Sequence, residues 1–183
     1  MTGVQTCALP ISFKDSSFYY VSRADTKVQL GNTSGATADY EKAILLNPKN
    51  AEAYTNQGFL YFENKEFDLA KRSFQQAIAA DPKQDFALNN LAFILNQENK
   101  FDEALRMVAL ALKQQPAQPF YLNNKGLILL NLGKMEEAKE MIERSIRLND
   151  KNSLAYQNLA LYYQKKRDNL KAKENLEIAK RME

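Results

Sequence analysis

Proline recurs at Pro48, Pro82 and Pro116, each step 34 residues long, and Asp150 fills the fourth slot of the same series. A unit of that length is too small to bury a core alone, so each must cover its apolar face with the next. The chain is thereby constrained to a solenoid. Counting back from each proline sets repeats at 17–50, 51–84, 85–118, 119–152 and 153–183, about five in all, the last ending just short of a full period. Positions within a repeat are numbered below as places one to thirty-four.

The same residue types return at the same places. Place four holds Tyr20, Tyr54, Leu88, Leu122 and Tyr156, and place eight holds Ala24, Gly58, Ala92, Gly126 and Ala160, small residues that let two helices approach closely. Alanine occupies place twenty in every repeat (Ala36, Ala70, Ala104, Ala138, Ala172), and Ala43, Ala77, Ala111, Ser145 and Ala179 hold place twenty-seven. Places four, eight and eleven share one stripe of a first helix, A, and places twenty, twenty-four and twenty-seven one stripe of a second, B. In the second repeat these helices are expected from Ala51 to Asn64 and from Phe67 to Asp81. Gly31, Asn99 and Gly133 fall between A and B, where left-handed backbone suits Gly and is tolerated by Asn; Lys65 and Arg167 hold the same place less comfortably.

These columns resemble those of the tetratricopeptide repeat family over residues 17–183. The resemblance implies an all-α fold, an α-solenoid of stacked antiparallel helix pairs wound into a right-handed superhelix, and a non-enzymatic role in binding proteins. Arg23, Gln57 and Lys125 depart from the family's apolar seventh place.

Residues 1–12 have no helical period and resemble the translation of a short-read sequencing adapter, so the native domain is expected to begin near Phe13 as one body, 13–183, of an N-terminally truncated protein. As a natural leader or export signal the stretch lacks a basic n-region and a long apolar h-region. Cys7 lies inside it, which leaves the remaining chain without Cys, His or Trp. That composition excludes disulfides, thiol nucleophiles, the usual zinc ligand sets and histidine acid–base relays. No cofactor or metal site is expected, and no apolar run reaches membrane-spanning length. Net charge is +3, distributed as +1, −1, −1, +1 and +3 over the five repeats, too weak a basic stripe for a nucleic-acid surface. Carboxylate pairs such as Glu136 with Glu137 and Glu140 with Glu143 lie among Lys and Arg, as on a solvated ion-paired face. Ile44, Ile78, Leu112 and Ile146 at place twenty-eight give way to Lys180, as expected of a polar terminal cap.

Function is therefore sought on the side of helix A opposite its core stripe, the concave side in the family. Place six reads Ser22, Asn56, Asn90, Asn124 and Asn158. Such amides could pair with the N–H and C=O groups of an extended peptide, as in the similar ladder of O-linked N-acetylglucosamine transferases, or could bond to neighbouring helices. Beside them stand Phe86 and Phe120 at place two, Phe59, Phe93 and Leu127 at place nine, and Asn89 and Asn123 at place five. Together these residues are the expected peptide-binding groove, an apolar strip beside amides. The family's carboxylate clamp for chaperone tails is not matched: place five is Val21, Thr55, Asn89, Asn123 and Gln157, with no Lys. The chain reads as a scaffold that holds a protein segment and helps assemble a complex; the alternative is the recruiting arm of a larger enzyme or membrane-anchored factor. Self-association through an end exposed by truncation is a further expectation.

Overall fold

A computed structural model describes residues 16–182. The adapter-like stretch and the expected start at Phe13 lie outside the described residues. Ten helices follow one another: α1 (Ser17–Gln29), α2 (Thr33–Leu46), α3 (Ala51–Glu63), α4 (Phe67–Ala80), α5 (Asp85–Gln97), α6 (Phe101–Gln114), α7 (Pro119–Asn131), α8 (Met135–Leu148), α9 (Ser153–Lys165) and α10 (Asn169–Lys180). Odd-numbered helices are the A helices and even-numbered ones the B helices, in the register set by the prolines. The chain groups into two compact units, one ending at Pro82 and one starting at Lys83.

The A-to-B turn is built identically five times. Gly31, Lys65, Asn99, Gly133 and Arg167 all adopt positive φ, between 60° and 75°. The next N–H in each case reaches back to the fifth carbonyl before it, as in Asn32 to Lys27, Glu66 to Tyr61 and Asp168 to Tyr163. This is the Schellman closure that satisfies carbonyls at a helix end. The B-to-A turn carries the proline. Pro48 and Pro116 occupy its second position, with Asn50 and Gln118 donating to the carbonyls of Asn47 and Gln115. Pro suits that position because its φ is preset, and Asp150 takes it between Asn149 and Asn152.

In the first unit α1 pairs with α2 and α3 with α4, joined by α2–α3 and α1–α3 contacts. Its core holds Val21, Ala24, Ala36, Tyr40, Ala43, Ala53 and Leu60. In the second unit α5–α6, α7–α8 and α9–α10 pair, α6 and α8 each contact the following A helix, and α5, α7 and α9 contact side by side. Leu129, Leu130, Ala138, Ile142, Ala155, Leu159 and Tyr162 form a core there. The small residue at place eight is a close-packing requirement: a Cβ on Gly126 would lie 2.5 Å from Ile142 Cγ1 and 3.2 Å from the Ala138 carbonyl, and one on Gly58 2.9 Å from the Phe74 ring.

Candidate binding face

Place eight points at the B helix, as the Gly126–Ile142 approach shows. Places two, six, nine and thirteen, spaced three or four apart, therefore share another face of helix A. In the second unit this face is where α5, α7 and α9 meet. Asn124 Nδ2 donates to Asn89 Oδ1 at 2.9 Å, and Asn158 Nδ2 donates to Asn123 Oδ1 at 2.9 Å. Place six of the fourth and fifth repeats thus clasps place five of the repeat before. Asn131 repeats the bond to Asn96 one helical stretch further along, again at 2.9 Å. Asn90 turns back to its own helix and donates to the Phe86 carbonyl at 2.8 Å. Asn89, Asn90 and Asn123 are buried, while Asn124 and Asn158 are half-buried.

The apolar residues of the face reach further out. Phe86, Phe120 and Leu154 at place two are 38%, 48% and 51% exposed, and Phe93 and Leu127 at place nine are half-buried. The second unit thus brings together Phe86, Asn89, Asn90, Phe93, Phe120, Asn123, Asn124, Leu127 and Asn158 on neighbouring helices. Asn56 and Phe59 belong to the first unit. There Asn56 Nδ2 donates to Asp25 Oδ1 at 3.0 Å, the same oxygen that accepts from the Tyr40 hydroxyl, and Phe59 is exposed. Burial, reinforced by the Asp25 hydrogen bond, pushes the Tyr40 hydroxyl pKa well above its ordinary value.

Two groups of residues carry geometry that the column reading overlooked. Asp39, at place twenty-three, faces the unusual Arg23: its carboxylate accepts from Arg23 Nε at 2.7 Å and pairs with Lys27 at 2.7 Å. The Arg23 hydrogen bond is the largest reason that the Asp39 carboxyl sits below its ordinary range. In the second repeat Ser73, also at place twenty-three, donates to Gln57 Oε1 at 3.2 Å. Comparing place seven with place twenty-three along the sequence would have shown that polar residues arrive together in both repeats. The second group closes the last repeat. Lys166 pairs with Glu136 at 2.9 Å and Tyr162 donates to the same carboxylate at 3.2 Å, holding the Glu136 carboxyl low and the Lys166 ammonium pKa high.

Lys125, the third polar residue at place seven, lines a pocket of about 220 Å³ with Leu112, Pro116, Leu122, Met141 and Arg144. That pocket lies against the B helices, away from the amide face. Among the described residues no three His, Cys, Asp or Glu side chains gather where a metal could be held, and no helix is long and apolar enough to cross a membrane.

Comparison with known proteins agrees with this geometry. A family model described as "Tetratricopeptide repeat-like domain" matches residues 56–172, and one described as "TPR repeat" matches residues 24–65. A TPR repeat-containing protein of Methanocaldococcus jannaschii is 36% identical over 64 residues, which is 35% of this chain and 11% of that protein. PilF of Pseudomonas aeruginosa superposes with a TM-score of 0.76 at 25% identity, covering 91% of this chain and 76% of PilF. YrrB, described as a TPR protein with an unusual peptide-binding site, superposes with a TM-score of 0.73 at 23% identity, covering 93% of this chain and 88% of YrrB.

Proposed function

Because the chain belongs to the tetratricopeptide repeat family, whose helix pairs serve as interaction scaffolds, we propose that it is a non-catalytic module that holds a protein segment and helps assemble a complex. Its contact surface is the A-helix face of the second unit. The observation that carries this is the exposed row of Phe86, Phe120 and Leu154 beside half-buried Asn124 and Asn158. Large apolar side chains left in water on adjacent helices mark a surface that a partner covers. The amides beside them already hold the helices in register, which presents the rings on a preorganised wall. YrrB supplies an analogy of fold, since it has a peptide-binding site on the same architecture.

Selection of a random displayed-peptide library against the whole chain tests this. Peptides enriched on the native protein are expected to lose about tenfold or more in affinity for a Phe93→Ala, Phe120→Ala double variant that keeps its helical circular dichroism. Enriched peptides that bind the double variant equally well would remove the face from consideration. A second reading makes the same face the recruiting arm of a larger enzyme or membrane-anchored factor. What favours it is that the archaeal match occupies 11% of its protein, so repeats like these occur inside much longer chains.

A further inference from the structure

We infer that the A-helix face of the second unit takes an uncharged, extended segment with an apolar side chain at every third residue. This occupant presupposes the binding face proposed above and narrows what fits it. Charge, spacing and backbone chemistry each point to it.

At places two, five, six, nine, twelve and thirteen of α5, α7 and α9, Lys165 alone is charged. By contrast α8, within the same unit, exposes Glu136, Glu137, Glu140, Arg144 and Arg147. A partner carboxylate or ammonium laid on the middle of the A-helix strip would give up water and meet no counter-charge, since the charged residues nearest it are Asp85 at the start of α5 and Lys165 at the end of α9, which disfavours it. Aromatic enrichment with charge depletion is also the composition of an interface centre.

The apolar row has one member per repeat, Phe86, Phe120 and Leu154. Directly packed helices stand about 8–10 Å apart, so the row offers an apolar contact at about that interval. A polyproline-II segment advances about 3.1 Å per residue with three residues per turn, returning a side chain to the same face every 9.3 Å or so. A β-strand does so about every 6.6–6.8 Å and falls out of step. An α-helix comes close to the interval after two turns, about 10.8 Å, but its backbone groups are already bonded to one another. Asn124 and Asn158 each use one amide hydrogen in the clasp and keep a carbonyl oxygen and a second hydrogen. Those groups suit a partner whose own N–H and C=O are unbonded, as in polyproline II.

The test uses the full chain and synthetic peptides, capped at both ends and built from Pro, Ala and Gln, read by fluorescence anisotropy. One carries Leu at every third position, a second has the same composition with Leu at every second position, and a third is the first with one Glu beside the central Leu. The first is expected to bind about tenfold tighter than either of the others, with an affinity that changes less than about twofold between low and high salt. Phe120→Ala and, separately, Leu154→Ala are each expected to weaken it about tenfold. If the variants lose binding but the second or third peptide binds as well as the first, or salt strongly weakens the first, the face binds peptides and the spacing and charge rule is wrong. If no peptide binds, or both variants bind as the native chain does, the rule falls together with the binding face.

Discussion

Arg23 stands at a place that other repeats fill with Leu91 or Leu159, and Asp39 across the helix pair is what makes it tolerable. The Asp39 side chain is 5% exposed, so its charge depends on Arg23 and Lys27. Its folded pKa is depressed, mainly by the Arg23 hydrogen bond. The stabilisation is therefore complete above the unfolded carboxylate value of about 3.9 and is lost as pH falls through the lower folded value. Urea unfolding of Asp39→Asn is expected to show a lower midpoint than the native chain at neutral pH, with the two converging in acid. A gap of the same size at both pH values would mean that the ion pair contributes nothing. Lys65 and Arg167 show the other kind of residue-scale exception. Each sits in left-handed backbone where Gly31 and Gly133 sit in sister repeats, held there by Schellman bonds that do not depend on the side chain.

Between elements, the distance from helix A to helix B is set at place eight. Gly126→Ala places a methyl against both Ile142 and the Ala138 carbonyl, and the backbone contact cannot swing away. Overpacking of about 1–3 kcal/mol outweighs the gain of about 1 kcal/mol in helix propensity, so a net loss is expected in thermal or urea unfolding. Pairing it with Ile142→Ala is expected to cost less than the two changes summed, by a coupling of about 0.5–3 kcal/mol. Full additivity would mean that the two sites do not touch. Much of this scale was legible in the residues. Helices expected from Ala51 to Asn64 and from Phe67 to Asp81 end at Glu63 and Ala80, with Asn64 and Asp81 as their caps. A cap bonds like the helix yet leaves its dihedral region, and composition does not mark that difference. The place-six asparagines were legible as a ladder, but the bonds of Asn124 and Asn158 to place five were not, because a 35-residue separation joins two columns that each look independent. Burial separates them further: Asn123 is 2% exposed, and only packing across three helices decides that.

On the scale of the whole molecule, nearest-neighbour stacking governs how damage spreads. Phe74, fully buried in the first unit, is expected to lose about 3–5 kcal/mol of stabilisation on truncation to Ala. In a solenoid that loss stays local. Hydrogen exchange of Phe74→Ala should show reduced amide protection in α3 and α4 and unchanged protection in α8, α9 and α10; a uniform fall in all ten helices would show one cooperative body instead. The asparagine pairs act at this scale too. The fourth repeat carries both Asn124, a plug that donates to the repeat before it, and Asn123, a socket that accepts from the repeat after it. A tandem copy of 119–152 would arrive with both halves of the joint already in place. Chains of this design can lengthen by duplication with no new chemistry, and their surfaces are left to diversify while the seam is copied.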